Sequence, residues 1–510
     1  MKKRVFFKNA AILTFTALLL RAIGIFYRIY ISNQIGAEGM GLYQLIFSVY
    51  TLASTIASSG IGIGVTRLIA EELDFGGRSA SQRIMKRALL CSVLLGIISM
   101  CGMYYFSDII AQYWLKDVRS AISLRILSFG LPFMAIASTI KGYFMARRKA
   151  ATPSNSQIFE QAVRIGSVVL LFSCFAPSGL EYACAAVVFG NALSELASCL
   201  YVYIGYRRDE RNLKDLHCVP KHVTRRLFHI FVPLAASSYV NTVLHTIENL
   251  LVPDALTRFT HAKEISLAQF GMLKGMALPL LFFPASFLSA LSTLLIPEIS
   301  ESSAKKQNQN LKRTIACTLH ITIVSSVWIA GIFTMYAHEI GYLFYRDYEV
   351  GTYILALAPV IPFMYLESII AGILNGLNQQ VASLKFNVYN SIIRITLITL
   401  VVPYFGISAF FVIMVISNLF TSCLNVKQLL YITKIPFQWK NWLIKPFFAI
   451  MLPAFVLSQA ARVIPLTGSV IPMIVGICLL SIAYICILFA TKCITIADIE
   501  ILFNRKRRSA

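Results

Sequence analysis

Six basic residues fall inside stretches too apolar to be loops: Arg21, Arg28, Arg125, Lys141, Arg164 and Arg394. A charge at the centre of a bilayer costs about 2.5 to 3.5 kcal/mol on insertion scales, so such a residue faces a partner or a water-filled cavity. Arg21 and Arg28 are seven residues apart, two turns along one helix face, with no acid in the same stretch. That pattern suits an anionic ligand, because guanidinium groups engage phosphate oxygens two at a time. The alternative for the pair is salt bridging to Glu248, Glu195 or Glu367 on other helices.

Arg164 differs, because Glu160 lies four residues earlier and can neutralise it on the same face. That pair reads as structural or gating. Arg394 has Asn390 at the matching position and no local acid, which makes it the more available cation. Arg125 and Lys141 lie near opposite ends of one apolar stretch, where snorkelling to the headgroups is the simpler reading. Glu160, Glu195, Glu248 and Glu367 are the acids at membrane depth, and they keep proton, sodium or membrane-potential coupling open.

The elements that must hold these residues follow from composition. Of 510 residues, 57% are hydrophobic and 14% charged, against roughly a quarter charged in an ordinary soluble domain. Apolar runs of about twenty residues recur along the chain, so the expected fold is all-α and integral to the membrane, with about fourteen transmembrane helices. The spans read as 9–31, 42–66, 87–107, 121–143, 154–176, 182–206, 227–250, 275–297, 314–336, 351–374, 384–402, 407–432, 443–461 and 469–491. With the N-terminus inside, cytoplasmic segments hold 33 Lys and Arg and the opposite side seven, which places both termini in the cytoplasm. The net charge of +23 therefore follows the positive-inside rule, and nucleic acid is not an expected partner.

The longest basic link, 207–226, divides the first twelve spans equally. A shift of 230 residues aligns Pro132-Phe133-Met134 with Pro362-Phe363-Met364, Ser138 with Ser368, Gly142 with Gly372, and Arg164-Ile165 with Arg394-Ile395, without a gap. Six spans is an even displacement, so the two lobes should be related by a parallel pseudo-two-fold along the bilayer normal. The expected organisation is an N-lobe at 1–206, the linker 207–226, a C-lobe at 227–432, and two further helices with a basic tail at 433–510.

Nothing points to catalysis. External loops are short, the seven histidines are dispersed, and GxSxG, HExxH and GxxxxGK[ST] patterns are missing. No cofactor or metal is implied, and the eleven cysteines are scattered without a CxxC pair.

The segments Arg21-Ala-Ile-Gly24-Ile-Phe-Tyr27-Arg28, IGAEGMGLYQLIFSVYTL (35–52), SSGIGIGVTRLIAEE (58–72) and KGMALPLLFFPASFLSALSTLLIPEISE (274–301) carry a resemblance. They are similar to the stage V sporulation protein B branch of polysaccharide transporters, within the multidrug, oligosaccharidyl-lipid and polysaccharide exporter superfamily that includes lipid II flippases. The resemblance implies two six-helix lobes around a cavity, with alternating access to an undecaprenyl-diphosphate-linked sugar in the bacterial cell membrane. That anionic lipid-linked glycan would be a peptidoglycan precursor for the spore cortex. Arg21 matches a cavity-lining arginine of the flippases' first helix. Their second falls near Tyr27, with Arg28 the nearest substitute; their eighth-helix arginine falls at Pro279, with Lys274 more than one turn away; and their acid at the start of the second helix falls near Tyr43. The implied substrate-binding set is Arg21, Arg28, Lys274 and Arg394. Rival readings are a cation exporter of the same superfamily, a membrane glycosyltransferase, and a scaffold that recruits cell-wall synthesis proteins.

Overall fold

The computed structural model describes residues 2–58, 60–175, 179–212, 223–289, 308–377, 379–436, 438–460 and 470–493. Every regular element among them is helical. Ten of the described helices are long and apolar enough to cross a membrane, or eleven when the bent pair Ser120–Ser128 and Gly130–Ala146 counts as one span.

Two of these stretches are too long to be single crossings. Ala11–Glu72 has 62 residues and Gln380–Thr433 has 54, whereas about 20 residues span the hydrocarbon core. Each is broken at a glycine in the left-handed region, Gly36 at φ 69° and Gly406 at φ 64°, where a side chain would be strained. Each therefore supplies two spans. The 25-residue helix Ala151–Phe175, which carries Glu160 and Arg164, is also of spanning length. With these divisions the described helices accommodate the expected fourteen crossings.

The chain forms two compact units, Met1–Gly271 and Met272–Ala510. The basic link 207–226 is described only at its ends, in the helices Leu180–Arg211 and Val223–Thr260, and 213–222 lie outside the described residues. Val223–Thr260 and Lys263–Phe270, which follow the link, belong to the first unit. The approach there is backbone to backbone. A Cβ on Gly41 would lie 2.0 Å from the Leu267 carbonyl oxygen, and one on Gly271 would lie 2.0 Å from that of Ala37. In the same unit Ile61, Val65, Leu68, Ile140, Tyr143, Phe144 and Val202 form a buried core.

The second unit has its own core around Ile315, Leu319, Ile323, Ile369, Ile370, Ile373 and Leu480. It also repeats a feature of the first. The bent pair near Pro132 is interrupted at Phe129, with 40° between its halves. Tyr348–Leu357 and Ile361–Gly376 are interrupted by the 3-10 turn Ala358–Val360, just before Pro362. Both breaks keep the 230-residue register read from the sequence.

The stretch around Lys274 is irregular. Lys263–Phe270 passes through a π-helical segment, Gly271–Ala277, into Leu278–Phe282, and the helix turns at Phe283 and Pro284. Residues 290–307, including most of the second half of the span expected at 275–297, lie outside the described residues.

Candidate functional site

The first helix carries Arg21 on an exposed face and Arg28 half-buried. Among the described residues neither makes an ion pair with a carboxylate. Tyr27, buried at 8% exposure, lies between them in sequence, and Tyr43 is within electrostatic range of both Arg28 and Arg164. Glu248 and Glu195 are both buried, at 1% and 8% exposure.

Arg164 is neutralised as the spacing implied. Glu160 accepts it at 2.9 Å, one turn away on the same helix. Arg164 also donates to Ser194 Oγ at 3.3 Å and to Gln161 Oε1 at 3.4 Å. The second oxygen of Glu160 takes Lys141 Nζ at 3.4 Å. Lys141 therefore turns inward to a carboxylate, which corrects its reading as a snorkelling residue. Arg125 does reach outward, to Ser107 Oγ at 3.0 Å and to Asp108. Glu195, next to Ser194, interacts with Glu160, Arg164 and Lys141. Two acids and two bases thus meet where three helices pack.

In the second unit Glu367 lies within electrostatic range of Arg394. An acid near Arg394 is thus supplied by a different span, which spacing along its own helix cannot reveal. Lys274 is half-buried within the π-helical turn. Glu248 sits in a polar neighbourhood, with Thr246 donating to the Ser48 carbonyl at 3.4 Å and Asn249 to Ser48 Oγ at 3.1 Å.

Two further ion-pair networks tie the first unit at opposite ends of the stretch 37–72. At the Gly36 end, Arg119 bonds Asp117 at 2.9 Å and Glu38 at 2.8 Å, Lys263 reaches Asp117 at 3.3 Å, and Asp254 takes both Lys116 and Arg258. Burial pushes the Asp117 carboxyl up, but hydrogen bonds from Arg119 and the charge of Lys263 outweigh it and hold the group below the usual carboxylate range. At the other end Arg226 bonds Glu71 at 2.9 Å and also Glu72, while Arg67 bonds Glu71 at 3.0 Å. Asp209 accepts Arg147, Lys149 and the Tyr143 hydroxyl. In the sequence only the Lys and Arg of these networks enter, through the positive-inside count. The alternating acids and bases of 116–119, 254–263 and 67–72 were the available signal.

The chain matches the family described as "Polysaccharide biosynthesis protein" over residues 6–303, and the MatE family over 260–405. It is 25% identical over 476 residues to stage V sporulation protein B of Bacillus subtilis (strain 168), covering 92% of each chain. It is 24% identical over 420 residues to lipid II flippase MurJ of the same organism, covering 76% of this chain and 75% of that one. The fold resembles a solved structure of lipid II flippase MurJ in an inward closed conformation, with a TM-score of 0.67, 13% identity, and coverage of 96% of this chain and 100% of that one. Its relatives are transporters rather than enzymes. The chain belongs to the polysaccharide biosynthesis protein family and is a multi-pass membrane transporter of the superfamily that contains the lipid-linked precursor flippases and the MatE exporters.

Proposed function

We propose that this protein is a flippase that moves an undecaprenyl-diphosphate-linked sugar, a peptidoglycan precursor for the spore cortex, from the cytoplasmic to the outer leaflet by alternating access. One observation carries the reading: Arg21 and Arg28 share a face of the first helix and make no ion pair with a carboxylate among the described residues, while Lys141 and Arg164 are matched by acids. Uncompensated cations at membrane depth call for an anionic ligand, and a diphosphate supplies two adjacent charges. The names of two relatives, a sporulation protein and a lipid II flippase, point the same way.

In this reading the diphosphate meets Arg21 and Arg28 while the isoprenoid tail stays in lipid. Lys274 and Arg394 are further candidate cations. Both termini are cytoplasmic, and the spans divide as six, six and two. Glu160, Arg164 and Glu195 form a coupling or gating centre in which a proton, a sodium ion or the membrane potential is the driving agent. Glu248 and Glu367 are secondary candidates for the same role.

The MatE match over 260–405 favours one second reading, export of a cationic drug. Such a substrate would be repelled by two cations on a first helix that carries no carboxylate. Reconstitution in liposomes separates the two: labelled lipid-linked glycan should cross to the outer leaflet, and cationic dyes should not be expelled. Dye efflux without glycan movement would establish the exporter instead, and movement of neither would leave only a scaffold that recruits cell-wall synthesis proteins.

A further inference from the structure

At the Arg67 end of the first unit a cavity of about 370 Å³ opens between 61–72 and the start of Val223–Thr260. Its walls are Arg67, Glu71, Arg225, Arg226, His229 and Ile230, so three guanidiniums face one carboxylate. The cations divide by role. Arg226 is shared between Glu71 and Glu72 and fastens the two helices together. Arg67 gives its Nε to Glu71, and no hydrogen bond from its two terminal nitrogens is seen among the described residues. Arg225 is exposed and has no carboxylate partner among the described residues; His229 follows it by one turn on the same face.

The surroundings say what would occupy such a cavity. Ile63, Phe228 and Val232, one turn or less from the basic rim, are exposed large apolar side chains. Charge above and bare hydrocarbon below is the profile of an amphiphile lying at a membrane surface. Basic pockets between membrane helices hold lipid phosphates, with each interfacial Lys or Arg worth about 1 kcal/mol. A soluble phosphate would use the guanidiniums and leave the apolar strip bare.

We propose that this cavity binds the phosphate of an anionic phospholipid headgroup, with Arg67 and Arg225 as its direct ligands and the acyl chains along Ile63, Phe228 and Val232. The bound lipid bridges the two helices that Arg226 already joins. This site is separate from the helix 1 cations and does not depend on what they carry.

The test is a binding titration of the purified full chain in detergent with phosphatidylglycerol, phosphatidylcholine and inorganic phosphate at constant ionic strength. Phosphatidylglycerol should bind and phosphatidylcholine should not. The double variant Arg67→Gln, Arg225→Gln leaves the Arg226 pairs in place and should lower phosphatidylglycerol affinity roughly tenfold or more. The control Arg83→Gln, Arg87→Gln removes the same charge from exposed residues outside the cavity and should stay within about twofold of the parent. If the double variant does not fold, Arg225→Gln alone, at an exposed side chain, should still weaken binding several-fold. Equal losses in the cavity and control variants, no loss in either, or inorganic phosphate binding as tightly as phosphatidylglycerol would each overturn the proposal.

Discussion

Glu160 accepts Arg164 at 2.9 Å with one carboxylate oxygen and Lys141 at 3.4 Å with the other. One carboxylate therefore pairs with cations from two helices, and Glu195 stands close enough to make the set four-membered. The same unit holds Arg28 within range of Tyr43 but without an ion-paired acid among the described residues. That contrast is the ground for the proposal that Arg28 binds a ligand and that the Glu160 set does not.

Glu160→Gln should leave Arg164 and Lys141 facing one another without their shared acid. The expected cost is about 1 to 3 kcal/mol, the penalty for stranding a partly buried charged partner. Thermal unfolding in detergent measures it. The double variant Glu160→Gln, Arg164→Gln should recover part of the loss, because the groups are coupled. Additive losses would place the two residues in separate interactions.

Asp117 makes stability depend on acid. Its folded value is held below the ordinary 3.8 by Arg119 and Lys263. A depressed carboxylate contributes stability that is complete above the unfolded value and is lost as pH falls through the folded one. The melting temperature should thus fall as pH drops below about 4, and Asp117→Asn should flatten that part of the curve. A variant with the parent's full acid sensitivity would assign the effect elsewhere.

The close approach at Gly41 predicts opposite outcomes for two alanine substitutions. Gly41→Ala drives a methyl to 2.0 Å from the Leu267 carbonyl oxygen, so the backbones must separate and the folded yield should drop. Gly102, inside Ile61–Tyr105, has nothing within 4 Å of an added Cβ. There alanine should stabilise by up to about 1 kcal/mol through helix propensity. Expression level and melting temperature of the two variants check this pair.

Much of the architecture was legible because hydropathy and loop charge act locally along the chain. The 230-residue register also survived in the backbone, since the interruption at Phe129 recurs at Ala358–Val360. What a single helix shows was readable: Glu160 and Arg164 are one turn apart, and they pair. What depends on a second helix was not. Lys141 was judged by its distance from the end of its own span, and its true partner lies on the next one. Arg394 looked free of acids for the same reason, yet Glu367 comes within range from another span. The Asp117, Arg119 and Glu38 contacts join the turn at 115–119 to a helix far away in sequence, and a count of Lys and Arg by loop carries no information on such an association.

As proposed above, the helix 1 cations bind the diphosphate of a lipid-linked glycan. The most direct measurement is head-group translocation of a labelled undecaprenyl-diphosphate glycan in liposomes, comparing the parent with Arg21→Gln, Arg28→Gln. The double variant should insert at the parent's level and lose translocation, while Arg21→Lys, Arg28→Lys should keep part of it. Translocation at the parent rate in the glutamine double variant, with protein level unchanged, would rule out Arg21 and Arg28 as the diphosphate ligands.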